Sequence, residues 1–349
     1  MVKTDTLPGR TIVIDNREFL YFSGTSYLGI ARNAEFQAYL LEGFGQYGTN
    51  FSNSRISNVR LAIFEEAENH LAAHTGAETA LTISSGFLAG QLVVRQLQAE
   101  GAFVYAPGTH PALWLENTIT VAGQSYTDWV QNLPETLAKI AKPHIVLLLN
   151  SLNPLYVEKY GFNWISQLPE NKTFTIIVDD SHGLGVIGSD GSGIFGQIKT
   201  PPHVELIVTA SLGKALGLPG GVILGRRKRL EQFRKSPFFT AGSPMSPAFL
   251  HAFLRSGKLY ATLRQRLFEN SIFFKAQTSA SQLFRSFDDY PVFQTDAEGL
   301  YEYLHQKSIL ISSFPYPSAQ YPPITRLVVS ALHTHEDIAE VADKTNAFG

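Results

Sequence analysis

The chain has 349 residues, 44% of them hydrophobic and 17% charged, with a formal net charge of −2 and no cysteine. These values fit a soluble globular protein with one large domain and a smaller companion, and they give no bulk attraction to nucleic acid or membrane. The absence of cysteine excludes disulfides, thiolate nucleophiles, zinc–thiolate sites and iron–sulfur clusters; no metal is called for, and a reducing compartment suits the chain.

The opening stretch MVKTDTLPGRTIVIDNREFL lacks the apolar core of a secretory signal, and no run reaches membrane-spanning length, so a cytoplasmic protein is expected. Across residues 56–74, Leu61, Phe64, Ala67, Leu71 and Ala72 recur at helical spacing before Gly76 stops the run. A short strand over residues 79–83 breaks at Ser84-Ser85-Gly86, and a second helix covers 87–97. Further apolar runs at 103–105, 143–149, 174–178, 205–210 and 221–224 read as buried strands. Strands apolar on both faces and alternating with helices imply an α/β fold with a mostly parallel central sheet covered by helices. The basic run Arg226 to Arg229 opens a helix whose charges read as a solvated face. Beyond it, helical segments and strands at 291–294, 309–312 and 326–330 suggest a smaller α+β domain. The expected division is an N-terminal arm belonging to the smaller domain (1–45), a large domain (46–232) and a small C-terminal domain (233–349).

In a sheet covered on both faces, ligands bind at the carboxyl ends of the strands. Asp179-Asp180-Ser181-His182-Gly183 follows one strand, Leu212-Gly213-Lys214 another, and Thr109-His110 a third, while Ser84-Ser85-Gly86 precedes a helix. A lysine beyond a strand is ordinarily a solvated loop residue. Lys214, set among Gly213, Gly217, Gly220 and Gly221, can instead be desolvated, which makes its amine nucleophilic toward an aldehyde. Asp179, first after its apolar run, faces the mouth of the sheet, where a carboxylate can hold a pyridine nitrogen protonated; Asp180 reads as a helix cap. Free amides at the Ser85-Gly86 helix start, with hydroxyls beside them, form a phosphate site. His110 on its own reads as a buried, satisfied histidine. The run GLGVIG (183–188) matches a dinucleotide fingerprint, but Ser189-Asp190-Gly191-Ser192-Gly193 cannot continue it as a helix and no acid follows for a ribose, so it is a glycine-rich loop. Gly213-Lys214-Ala215 also lacks the spacing of a nucleotide phosphate loop.

The order of these motifs resembles the α-oxoamine synthases, within the fold-type I pyridoxal-phosphate enzymes. VDDSHGLGVIGSDGSG and YGTNFSNSRISN are specific matches, and the resemblance runs from GRTIVIDNREFLYFSGTSYLGI to RLVVSALHTHEDI. It implies pyridoxal 5′-phosphate as cofactor, with Lys214 as the internal aldimine, Asp179 on the pyridinium nitrogen, His182 near the ring hydroxyl and His110 stacked on the ring. Ser85, Gly86, Phe87 and Ser211 would hold the phosphate or surround the ring. A homodimer with the site at its interface is implied, in which Ser243 reaches the partner's phosphate. The implied reaction condenses a small amino acid with an acyl-CoA and releases carbon dioxide. An aminotransferase or aldol-type lyase, and a non-catalytic protein on the same fold, are the alternatives. The departures lie on the substrate side. No arginine occurs near Phe314, where the family's carboxylate-binding arginine is expected; Arg326 falls at a more structural position, and Arg55 is the candidate substitute. Thr25-Ser26 replaces the family's asparagine, and Asn150 to Pro154 departs from its pattern. Aromatics at Phe238-Phe239 and Phe314-Pro315-Tyr316 could line an acyl pocket.

Overall fold

A computed structural model of the chain describes residues 3–116, 124–316 and 319–348. The strands, in chain order, are β1 (Thr11–Ile14), β2 (Arg17–Phe22), β3 (Thr79–Ile83), β4 (Ala102–Tyr105), β5 (His144–Asn150), β6 (Leu152–Asn153), β7 (Glu158–Lys159), β8 (Thr173–Asp179), β9 (Val204–Ser211), β10 (Gly221–Gly225), β11 (Val292–Thr295), β12 (Ile309–Pro315) and β13 (Pro323–Val328). Six of them form the main sheet in the order β3-β10-β9-β8-β5-β4. β4, β5, β8 and β9 pair in parallel; β10 runs against both its neighbours, so β3 points the same way as the other four. The mostly parallel sheet expected from the apolar runs is therefore present.

Alternation along β5 accounts for its unbroken apolar sequence. Ile145, Leu147 and Leu149 enter one core, while Val146 and Leu148 enter the core on the opposite face. Truncating any one of them, Leu147→Ala for instance, costs about 2–5 kcal/mol. Four helices matter for the site's frame: α1 (Ala34–Tyr47), α2 (Ile63–Thr75), α3 (Gly86–Leu97) and α4 (Tyr126–Ala138). α3 starts where it does because extended Ser85 accepts the Leu88 N–H on its hydroxyl. Its buried stripe of Ala89, Leu92, Val93 and Leu97 then packs on Val146, Leu148, Ile207 and Ile223. α2 begins later than the apolar spacing from residue 56 suggests. Ser57 Oγ donates to the Val59 carbonyl and Ser54 Oγ accepts the Ile56 N–H, giving the backbone a local alternative to the helix.

The second sheet has the order β1-β2-β12-β13-β11, with β2 and β12 parallel and the other pairs antiparallel. Its core is aromatic, built from Phe22, Phe274 and Phe293 with Leu327 and Val341. The β1–β2 hairpin turns on Asp15 and Asn16, both at positive φ (49° and 63°), the backbone that a tight two-residue turn requires. The basic helix Arg227–Arg234 is largely paired: Arg229 meets Glu100 and Glu205 at 2.7 Å, and Arg234 meets Glu68 at 2.6 Å. Among the described residues no helix is long and apolar enough to cross a membrane.

Candidate active site

β8 delivers Asp179 as its last residue, β5 ends at Asn150 beside it in register, and β9 ends at Ser211 just before Lys214. These carboxyl ends share one edge, and a cavity of about 710 Å³ opens over them, lined by Lys214, Asp179, His110, His182, Thr25 and Arg326 among others. The loop carrying Lys214 is closed by two backbone bonds, Leu212 N–H to the Gly220 carbonyl and Leu218 N–H to the Leu212 carbonyl, both 2.9 Å. Gly217, at φ 64°, completes that turn. Burial pulls the Lys214 amine down to about 8; Asp179 opposes this and Arg326 adds to it. Roughly one tenth of such amines are neutral at pH 7.

The other groups are held by short polar links. Asp179 Oδ1 accepts the Ser181 N–H at 2.9 Å, and among the described residues Oδ2 receives no donor of its own. His110 Nδ1 stands 3.7 Å from Oδ2, too far for a hydrogen bond, and accepts the Ala112 N–H at 3.2 Å. Burial lowers the His110 pKa, so the ring is neutral at pH 7. Asn150 fixes the His110 loop from below: its amide donates to the Gly108 carbonyl at 2.7 Å, and its Oδ1 accepts the His110 N–H at 3.1 Å. The departure at Asn150 thus positions a site histidine. His182 lines the cavity with its Nδ1 2.8 Å from the Tyr27 hydroxyl.

Gly86 sits directly against Ser211, although Ser85, Gly86 and Ser211 are not among the residues that line the cavity. A Cβ on Gly86 would fall 2.6 Å from the Ser211 Cα, so only glycine lets the α3 start approach the end of β9 this closely. Phe87, the second residue of α3, is 53% exposed, and Ser243 is exposed in the loop before the helix Pro247–Arg255; neither lines the cavity.

Away from the strand ends the cavity wall is aromatic, with Trp114, Tyr126, Tyr160, Tyr316 and Tyr321 in it. Tyr126 and Tyr160 stack at 3.8 Å between ring centres. Glu158, on β7, is the acid of this outer part, and the Asn153 amide donates to it at 3.1 Å.

Several expectations need correction. Arg326 is a cavity residue: its Nη1 donates to the Pro154 carbonyl at 2.6 Å, and its buried Nε has no partner among the described residues. Arg55, the proposed substitute, is instead consumed elsewhere. It pairs with buried Glu68 at 3.0 Å and stacks over Phe64 at 4.2 Å. Asp180 caps no helix. Its carboxylate accepts the Ile194 N–H at 2.8 Å and fills the space that side chains on Gly183 and Gly193 would take, which ties the glycine-rich loop to β8. Burial raises the Asp180 pKa to about 7. Phe238 and Phe239 pack in a core cluster and not in the cavity, whereas Phe314 and Tyr316 do line it.

The model of the aminotransferase class I and II family matches residues 52–344. The chain belongs to this family. Curated relatives include the 8-amino-7-oxononanoate synthase of Dechloromonas aromatica (strain RCB), 28% identical over 73% of this chain and 68% of its own. That of Erwinia tasmaniensis is 27% identical over 99% and 92%. Among solved structures, a serine palmitoyltransferase from S. paucimobilis superposes with a TM-score of 0.82 at 17% identity, covering 99% of this chain and 92% of that one. The 8-amino-7-oxononanoate synthase of Francisella tularensis gives 0.68 at 20%, covering 95% and 97%. These structures establish the fold, that of the fold-type I transferases. Within the family the relatives are α-oxoamine synthases, and the protein is a pyridoxal-phosphate-dependent transferase. The residues present fit that cofactor. A half-buried amine pulled down to about 8 suits an aldehyde, the donor-free Asp179 Oδ2 suits a protonated pyridine nitrogen, and the helix start pressed on Ser211 suits a phosphate.

Proposed function

We propose that the protein condenses a small amino acid with an acyl-CoA, yielding an aminoketone, free CoA and carbon dioxide. The observation that carries this reading is Arg326, whose side chain lines the same cavity as Lys214. A guanidinium with free N–H groups is the natural partner for a carboxylate, and it supports an amino acid as first substrate. Its presence also removes the motive for an aminotransferase or lyase, which was the apparent lack of such an arginine.

Bound pyridoxal 5′-phosphate supplies the electron sink for charge that develops at the substrate α-carbon. The protein's residues do the rest. Arg326 holds the substrate carboxylate, its guanidinium anchored through Nη1 on the Pro154 carbonyl. Lys214 takes the α-proton as a neutral amine and returns a proton later in the cycle. Asp179 would keep the pyridine nitrogen protonated, His110 would offer a neutral ring face, His182 would meet the ring oxygen, and Ser85, Gly86 and Ser211 would receive the phosphate. The aromatic outer wall excludes water while the thioester is attacked. We further propose a cytoplasmic homodimer, with exposed Phe87 and Ser243 turned toward the partner.

The test is to supply the loaded enzyme with glycine, alanine or serine together with an acyl-CoA and to follow free thiol and carbon dioxide. Equal release of both supports the proposal. No thiol release from any pair, with conversion of the cofactor to its amine form, would establish an aminotransferase in its place.

A further inference from the structure

His182 lies three residues beyond the end of β8, yet its ring is held by residues near the second sheet. Its Nδ1 is 2.8 Å from the Tyr27 hydroxyl, which lies 3.0 Å from the Tyr290 hydroxyl. Both tyrosines are buried, at 1% and 2% exposure. Tyr290 precedes β11 and stacks on Phe287 at 5.1 Å; Tyr27 follows β2, and its carbonyl accepts the Ala331 N–H. These three groups form a row that can be written in two senses.

If Nδ1 carries the proton, it donates to Tyr27, and Tyr27 donates to Tyr290. The Tyr290 proton then has no acceptor among the described residues, and a buried donor left unmade is costly. In the other sense Tyr290 donates to Tyr27, Tyr27 donates to Nδ1, and every proton in the row has an acceptor. Charge agrees. Burial holds the His182 pKa well below its usual value, and Lys214, Arg326 and His110 push it the same way, so the ring is neutral and carries one proton.

We propose that Tyr290 and Tyr27 form a one-way donor row that fixes His182 as the Nε2–H tautomer. The two tyrosines are positioning residues that act through the histidine. With Nδ1 occupied, His182 can only donate to the cavity, never accept from it. A fixed donor suits an oxyanion, such as the ring oxygen of pyridoxal phosphate, and disfavours a ligand that offers a hydroxyl proton at that point. The consequence for the cofactor rests on the proposed function; the tautomer does not.

Nitrogen-15 NMR of histidine-labelled protein without added cofactor, with His182 assigned by its loss in His182→Gln, tests the tautomer directly. The expected result is a bare Nδ1 and a protonated Nε2 between about pH 5 and 8, the span in which an ordinary histidine titrates. A proton on Nδ1 overturns the proposal. Tyr27→Phe is expected to give a mixture of tautomers and to weaken retention of pyridoxal phosphate about fivefold, the worth of one ordinary hydrogen bond. Tyr290→Phe leaves Tyr27 free to donate to Nδ1, so the tautomer stays. If Tyr290→Phe instead moves the proton to the other nitrogen, the row runs the opposite way. Should Tyr27→Phe fail to fold, the unmodified protein and Tyr290→Phe decide the matter. Because no substrate is present, failure of the acyl-transfer reading leaves this result untouched.

Discussion

The inner and outer ends of the cavity are built by different means. The inner end hangs on strand termini. Asp179, Asn150 and Ser211 end β8, β5 and β9, and Lys214 follows in a loop closed by two backbone bonds, so ladder register places these groups. The outer end is assembled from separated pieces: Trp114 just after the short helix Pro111–Leu113, Tyr126 at the start of α4, Glu158 and Tyr160 at the β6–β7 hairpin, and Phe314 and Tyr316 at the end of β12. Hydrogen bonds fix the first set relative to one another. The second set is tied across segments instead, Trp114 Nε1 donating to the Thr109 carbonyl at 2.8 Å and the Tyr126 hydroxyl to the Gly161 carbonyl at 2.7 Å. The first set is thus placed by one sheet, and the second by segments far apart in the chain.

The largest way to break this contrast is Lys214→Ala. It should lower turnover by about 10²–10⁴-fold, the range for losing a positioned acid–base group, with the fold intact by circular dichroism. Turnover within tenfold of the parent would remove Lys214 from the chemistry. Next comes Arg326→Ala, expected to raise KM for the amino acid by roughly 10–150-fold, which corresponds to about 1.5–3 kcal/mol for hydrogen bonds to a charged group. An unchanged KM would return Arg326 to a structural role. The pH dependence sharpens the inner end further. With the Lys214 amine at about 8, attachment of pyridoxal phosphate to the empty protein should speed up about tenfold per pH unit below that value and level off above it. A rate still climbing in the same way above pH 9 would mean that the amine keeps its ordinary pKa.

Asp180 offers a smaller effect of opposite sense. Its folded-state pKa of about 7 lies above its ordinary value near 3.8, so the folded protein binds the extra proton between those values. Its contribution to stability therefore falls as pH rises from about 4 to 7, by at most ~1.4 kcal/mol per pH unit. Asp180→Asn cannot titrate, so the stability difference between variant and parent should drift in the variant's favour across that window and then stay flat. Denaturant melts showing a constant difference would contradict the raised pKa. The smallest effect belongs to the outer end. Glu158→Lys should improve use of a carboxylate-tipped acyl donor over a neutral one of equal length by about fivefold or less, since an exposed charge is worth under ~1 kcal/mol. No change in that ratio would mean that the acyl tail never reaches β7.

The contrast also explains what could be read in the sequence. A buried parallel strand announces itself as an apolar run, and the residues after it are placed by the strand, so the positions of Asp179, His182, Lys214 and His110 on one sheet edge were legible, while the roles of the histidines came only with the family resemblance. Arg326 was misjudged because it lies within β13, where alternation sends it into the cavity, and nothing in the local sequence gives that side's identity. Arg55 looked available because its partner Glu68 is distant in the local pattern and buried only by the fold. The aromatic wall was half found: Phe314 and Tyr316 line it, but Phe238 and Phe239 differ from them only in tertiary surroundings. One missed element did carry a signal. Asp15-Asn16 between two β-branched or aromatic runs is the chemistry of a tight hairpin turn, and it marks β1 and β2.

The pairing of β3 with β10 has a consequence for how the molecule comes into being. β3 precedes the Ser85-Gly86 helix start and lies early in the chain, whereas β10 lies far along it and closes the loop that bears Lys214. The Ser85-Gly86 helix start and the Lys214 loop are therefore joined by a contact of long sequence separation, the kind that forms late because its loop-closure entropy must be met first. A chain still emerging from the ribosome can hold folded helices and most of its parallel strands, but it has no complete place for the cofactor until the segment through Gly225 has been released.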